Sequence, residues 1–466
     1  MRILFIEVRS KTYSYQQVAQ ELQKLGHEIV WLVYNHSIKP SCGSVHTIPY
    51  PSKKQLEYDQ SKLNTENFKK VADSDRNVLY LKGGINHYPY YWNQISQILD
   101  TEKPDVVLGE PSPFYAVMCG LLCKEKGIPM FSESVARYPR DRFTFNPPDR
   151  YHQISSSGDK IVFEEAKQKW SEIVSRTTRP EYMDQFSRKE FHYLRIYWLY
   201  SLHRIGYYYQ HLKGERYLTR SLLHNFKEKR LIKNNHVLWD QMAETSINSS
   251  EFVILYPLQY QPEYNLDVWG TQYRNQIETI RKIVANMPDG CVLYVKPNPA
   301  RGLEISQDLV NFVRESKKTT AIKTNVNMSE VFNDIDMVIT VTGTVAIECV
   351  FSGKPVISLA ETETSRFRGC IKPDDIDAIS GLIELAKKGE FPLADDDEKY
   401  RFYSHLLDSS HAGMMQDFLM VYGKLMGDDN LKKLVTGYLK LLEQLSAGRL
   451  EFNGKENSTN RQSQHS

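Results

Sequence analysis

The chain has 466 residues, 41% hydrophobic and 25% charged, with a net charge of only +2. These proportions exclude a disordered or fibrous protein, and the near-neutral balance argues against a polycation that coats nucleic acid. At roughly 100–200 residues per domain, the length implies two to four domains.

The opening Met1-Arg2-Ile3-Leu4-Phe5-Ile6-Glu7 has too short an apolar run for a signal peptide and reads as a buried first strand. Val18, Leu22 and Leu25 then fall at helical spacing, Gly26 ends that helix, and His27 opens a second strand. A buried strand over 105–108, a helix over 114–126 and a strand over 127–131 follow. Strand, helix, glycine, strand is the start of a Rossmann-like unit, so 1–150 is expected to be one α/β domain.

Over 151–248 the strand signals give way to long helical patterns. Between Phe186 and Lys233 there are 11 Lys/Arg against 3 Asp/Glu, with 11 aromatics that include Tyr207-Tyr208-Tyr209. Three readings stay open for this helical insertion: contact with an anionic membrane surface, a groove for an acidic glycan, and plain helical packing. No nucleic-acid-binding module is recognisable.

A second series of short apolar runs (252–256, 291–296, 320–323, 337–341 and 356–359) alternates with helical segments at 271–286, 304–315, 328–334 and 343–352. Such alternation predicts a parallel, doubly wound sheet, hence a C-terminal Rossmann-like domain over 249–425. Leu431, Leu434, Val435, Tyr438, Leu441, Leu442 and Leu445 share one face of a final helix within 426–452. The polar stretch 453–466 reads as a disordered tail. The longest apolar run, 114–123, falls short of the about 20 residues a membrane-spanning helix needs. The six cysteines form no paired CxxC hooks, which suits reduced, buried thiols in a cytoplasmic protein and argues against a zinc site.

Three stretches of the second half carry chemistry. In 337–359, MVITVTGTVAIECVFSGKPVISL, a strand runs into Thr342-Gly343-Thr344 and a helix follows. Its N-terminus suits a phosphate, and Glu348, one turn on, suits two ribose hydroxyls. Lys296 in Tyr294-Val295-Lys296-Pro297-Asn298-Pro299 ends another strand and offers a cation to the same crevice. Gln259, Gln261 and Glu263 lie on the stiff loop PLQYQPE after the first strand of this half.

PLQYQPE, VKPNP and TGTVAIE with GKPVI, in that order, resemble the capsule polysaccharide biosynthesis family, which includes Kdo-transferase-like enzymes of bacterial surface glycans. The likeness is clear over 250–365 and looser before it. It implies a GT-B glycosyltransferase with two Rossmann-like domains facing a cleft. A nucleotide sugar (a CMP-Kdo type or a nucleoside diphosphate sugar) would sit on the C-terminal domain, bound by Lys296, Asn298, Thr342, Gly343, Thr344, Glu348, Gln259, Gln261 and Glu263. Where the family carries Lys-x-His-Pro this chain has Lys296-Pro297-Asn298-Pro299, so Asn298 donates a hydrogen bond but brings no charge. The N-terminal half would then hold a glycan or lipid-linked acceptor. Glu110 and Glu133, at the carboxyl ends of strands, are the catalytic candidates, and Arg137, Arg140 and Arg142 a clamp for an acidic acceptor. The pairs Asp334/Asp336 and Asp395/Asp397 are placed outside the site, so no metal and no cofactor are expected. An epimerase of the same build and a non-catalytic glycan-binding or assembly protein are the alternatives. A peripheral contact with the inner face of the cytoplasmic membrane stays open.

Overall fold

The computed structural model describes residues 1–57, 65–178, 193–415 and 427–450. The expected tail 453–466 lies outside them. The chain forms two compact units. One comprises the described residues of Met1–Asp159, Ser187–Thr219 and Leu406–Ser466; the other comprises those of Lys160–Phe186 and Arg220–His405.

The strands are numbered in chain order. In the first unit they are β1 (Arg2–Ile6), β2 (Glu28–Val33), β3 (Ser44–Thr47), β4 (Val106–Leu108), β5 (Met130–Val135), β6 (Arg142–Asn146) and β13 (His411–Ala412). Their order in the sheet is β13-β6-β5-β4-β1-β2-β3. β3 to β5 run parallel, whereas β6 and β13 are antiparallel additions at one edge. Alternation along β1 divides the core in two. Ile3 and Phe5 join Val18, Leu22 and the final helix Asp428–Ser446, while Leu4 and Ile6 join Tyr91, Ile95, Phe114 and Met118 on the other face.

The second unit holds β7 (Phe252–Pro257), β8 (Cys291–Lys296), β9 (Thr319–Ala321), β10 (Met337–Thr340), β11 (Val356–Ser358) and β12 (Cys370–Ile371) in the order β12-β11-β10-β7-β8-β9, all parallel. Read outward from β7, this is the order of a doubly wound dinucleotide-type sheet. Both expected α/β folds are present.

The expected boundaries 1–150, 151–248, 249–425 and 426–452 do not survive as contiguous pieces. The described residues between 151 and 248 are instead divided between the two units. The helix Asp428–Ser446 packs on the first unit's sheet through the expected face, burying Leu434, Tyr438 and Leu441. All six cysteines are free and buried. Among the described residues no helix is long and apolar enough to cross a membrane.

Candidate functional site

In a doubly wound sheet, ligands gather at the carboxyl edge where the strand order reverses. In the second unit that point lies between β7 and β10, where the sequence motifs emerge. Gly343 is required here for close approach rather than for an unusual φ. A Cβ on it would lie 2.4 Å from Thr340 Oγ1. The Gly343 N–H donates to that same oxygen at 3.1 Å, so this amide is engaged by its own strand rather than turned to a ligand. The amides of Ala346 and Ile347 donate to the carbonyls of Gly343 and Thr344. The helix Val345–Ser352 thus begins with the turn at Thr344 and Val345.

Gln259 joins this cluster. Its Nε2 donates to Thr340 Oγ1 at 3.2 Å, and the Thr342 hydroxyl lies 3.5 Å from its Oε1. Gln276, at the start of the helix Gln276–Asn286, grips the Gln259 backbone from both sides, with bonds of 2.8 and 2.9 Å. It also donates to Gln261 Oε1 at 2.8 Å, while Gln261 Nε2 donates to the Arg274 carbonyl at 3.0 Å. Gln261, expected to bind donor, is therefore a buried strut that shapes the loop. Glu263 directly precedes the short helix Tyr264–Asp267, and its Oε1 accepts from Asn265 Nδ2 at 2.7 Å.

Lys296 is the last residue of β8 and is buried. Among the described residues its amine has no hydrogen-bond or ion-pair partner. Burial pulls it down to about 8, against a modest opposing pull from Glu330. Because β7 separates β8 from β10, Lys296 and Thr342 leave the sheet at one edge roughly 10 Å apart, two strand spacings. Asn298 Oδ1 accepts from the Ala300 N–H at 2.9 Å, which fixes the loop, and its Nδ2 has no partner among the described residues.

Glu348 is not the solvent-facing carboxylate that an αβ loop would ordinarily carry. It is buried, and its Oε2 accepts from Arg176 at 2.6 Å. Arg176 has φ +56° and stacks on the Phe332 ring, 4.3 Å from its centroid. The helix Phe163–Val174 brings it there, with Trp170 stacked on Phe351 of the Glu348 helix. Any ribose at Glu348 shares the carboxylate with this arginine.

Next to Lys296, the loop after β8 is tied down by a second carboxyl. Glu304 Oε1 accepts the Gly302 N–H at 3.1 Å, with His236 Nε2 3.7 Å away. Burial raises Glu304 to about 7. A carboxyl raised in the folded state stabilises most when protonated, and that contribution is lost as pH rises from the ordinary glutamate value of 4.5 through about 7. His236 is lowered by burial and acts in the opposite sense near its own titration. We expect Glu304→Gln to remove a loss on the order of 2–3 kcal/mol across that window, read as urea midpoints on both sides of it with the wild type as reference.

In the first unit the reversal lies between β1 and β4; Glu110 follows β4 as expected, Glu133, expected just past a strand, lies within β5, and both reach Lys11. Lys11, in the turn after β1, donates to Glu110 Oε1 at 2.6 Å and lies 3.1 Å from Glu133 Oε2. Tyr15 Oη donates to Glu133 Oε2 at 3.0 Å, and Glu133 Oε1 is buried with no partner among the described residues. Burial raises Glu133 and the charge of Lys11 opposes it. Glu110 is the more accessible of the two, with 19% of its side chain exposed against 2%.

Arg142 begins β6 and spends its guanidinium on structure: Ser410 Oγ at 2.8 Å, Asp159 at 2.5 Å, the Leu407 carbonyl at 3.0 Å, and the Ser410 carbonyl. It ties β6 to the segment that carries β13. Arg137 stacks on Tyr151, 4.6 Å from the ring centroid, and Arg140 lies on the turn before β6. Of the aspartate pairs, Asp336 accepts the Val253 N–H at 2.7 Å and Asp396 pairs with Lys167 at 2.8 Å. Sequence reasoning missed Lys11, Tyr15 and Arg176.

Residues 156–362 match a family model described as capsule polysaccharide biosynthesis protein. No curated protein matches significantly. Among solved structures the chain is similar to two Kdo transferase structures of Thermosulfurimonas dismutans KpsC. The β-Kdo 2,4 transferase is 10% identical with a TM-score of 0.33, covering 70% of this chain and 88% of that one. The β-Kdo 2,7 transferase is also 10% identical, with a TM-score of 0.32, covering 75% and 89%. The Methanocaldococcus jannaschii UDP-GlcNAc 2-epimerase is 12% identical with a TM-score of 0.27, covering 86% and 98%. The matched stretch 156–362 takes in β7 to β11 and every donor-side motif, so it is this part of the chain that is similar to the capsule polysaccharide biosynthesis family.

Proposed function

We propose that the protein is a metal-independent glycosyltransferase of GT-B build. It moves a sugar from a nucleotide-activated donor to a glycan or lipid-linked acceptor in capsule or related surface-polysaccharide assembly, in the cytoplasm. The observation that carries this reading is Lys296: a buried ammonium without a partner among the described residues, at the ligand edge of a dinucleotide-type sheet. A buried charge is costly unless something compensates it, and a donor phosphate would do so. Asn298 Nδ2 would add a donor, and Glu348 with Arg176 would meet the ribose. In the transfer, Glu110 takes the proton of the acceptor hydroxyl and the acceptor oxygen bonds to the anomeric carbon. The bond from that carbon to the phosphate oxygen breaks, and the electron pair stays on the phosphate beside Lys296.

A thermal-shift screen against CMP, UDP, GDP and TDP tests the nucleotide site. A ligand at a hundred times its Kd adds about 2.7 kcal/mol of stability. Sugar transfer to oligosaccharide acceptors, unchanged by EDTA, is the expected follow-up. Donor consumption without acceptor would instead mark an epimerase. Glycan binding with no response to any nucleotide would mark a non-catalytic assembly protein.

A further inference from the structure

The helix Tyr193–Lys213 belongs to the first unit and is two-faced. One side packs inward: Arg9 lies over the Tyr207 ring, Tyr50 Oη donates to Gln210 Oε1 at 3.3 Å, and Gly206 lies against Ser37. The other side is apolar as well, yet faces solvent. Leu202, Ile205, Tyr209 and Leu212 follow each other at spacings of three, four and three residues and are 58%, 65%, 56% and 79% exposed. Such spacing puts them on one stripe roughly 15 Å long. Among the described residues of the first unit, four of the six exposed large apolar side chains lie on this stripe, so the exposure is concentrated rather than scattered.

We propose that this stripe seats the protein on an anionic lipid surface. Charge selects the occupant. The 21-residue helix contains no Asp or Glu but has Arg195, Arg204 and Lys213, and Lys213 Nζ lies 5.4 Å from the Tyr209 ring centroid at the exposed edge. A second copy docking through the same stripe would bring like charges together, whereas acidic headgroups neutralise them. An apolar stripe flanked by cations and tyrosine suits the headgroup layer, where Leu and Ile enter the acyl boundary and Lys stays among the phosphates. With Arg, His, Gln and Lys along its length, the helix lies on the surface rather than crossing it. The inference extends the lipid-linked acceptor of the proposed function, but its test needs neither donor nor acceptor, so the two readings fail separately.

The test is co-sedimentation of the full chain with phosphatidylcholine vesicles and with mixed phosphatidylcholine–phosphatidylglycerol vesicles. Wild type is expected to sediment with the mixed vesicles only. The double variant Ile205→Glu/Leu212→Glu should lose binding about tenfold or more with unchanged circular dichroism and melting, since both positions face solvent. Wild type that ignores phosphatidylglycerol, or a variant that binds undiminished, overturns the proposal. So does a wild-type dimer in light scattering that the variant abolishes, which would assign the stripe to self-association. If the double variant misfolds, Leu212→Ser alone carries the same comparison.

Discussion

Replacing Lys296 by methionine is expected to raise the donor Kd ten- to hundredfold without lowering the melting temperature of the free protein. The first effect follows from losing a charge-assisted hydrogen bond to phosphate, worth about 1.5–3 kcal/mol. The second follows from burial: the ammonium is buried without an ion-pair partner among the described residues, so an isosteric apolar side chain removes a desolvation cost. A structural lysine would behave the other way, its loss weakening the fold and leaving nucleotide titration unchanged. The pH dependence supplies a second signature. Because burial lowers the amine to about 8, donor affinity should hold below that pH and fall above it, by at most about tenfold per unit, as the proton is lost. Lys296→Arg should flatten this profile. Isothermal titration with the nucleotide found in the screen reads both effects.

Glu110→Gln is expected to lower kcat by about 10²–10⁴-fold while donor Kd stays within twofold or so of wild type. The amide that replaces the carboxylate still accepts from Lys11 but cannot take the acceptor's proton. The contrast with Lys11→Met separates chemistry from architecture. Removing the cation leaves Glu110 and the buried Glu133 facing each other uncompensated, and breaking such a pair costs about 3–5 kcal/mol. Lys11→Met should therefore melt early as well as turn over slowly, whereas Glu110→Gln should only turn over slowly. Equal kcat in Glu110→Gln and wild type would remove Glu110 from the reaction.

The parallel strands were the most legible part of the fold. β1, β2, β7, β8 and β10 are buried on both faces and so appear as continuous apolar runs. β3, with the sequence SVHT, is an exposed edge strand, and β13 has two residues; neither has enough apolar character to stand out. β6 was hidden in a basic stretch. Its RFTFN alternation was the available signal, and missing it turned the structural Arg142 into an acceptor clamp.

At the candidate site, the strand carboxyl ends that carry Glu110, Lys296 and Gly343 were legible as apolar runs, whereas Glu133, expected just past a strand, lies within β5. The partners of the site residues were not legible. Lys11 meets Glu110 across 99 residues, and Arg176 meets Glu348 across 172, distances at which no local periodicity speaks. Gln261 shows the converse error: a polar side chain on a stiff loop looks like a ligand contact until Gln276, fifteen positions away, is seen to consume it.

The interleaving of the two units governs how the protein can be cut and recombined. The N-terminal sheet depends on β13 and on the Asp428–Ser446 helix, which cover Phe143 and Phe145 from the far end of the chain. A fragment that stops near residue 400 would leave that side of the sheet bare and prone to aggregate. A chimera meant to exchange the first unit with that of a relative must carry three stretches of sequence together, around 1–159, 187–219 and 406 onward. A single crossover at the middle of the chain would graft half a scaffold.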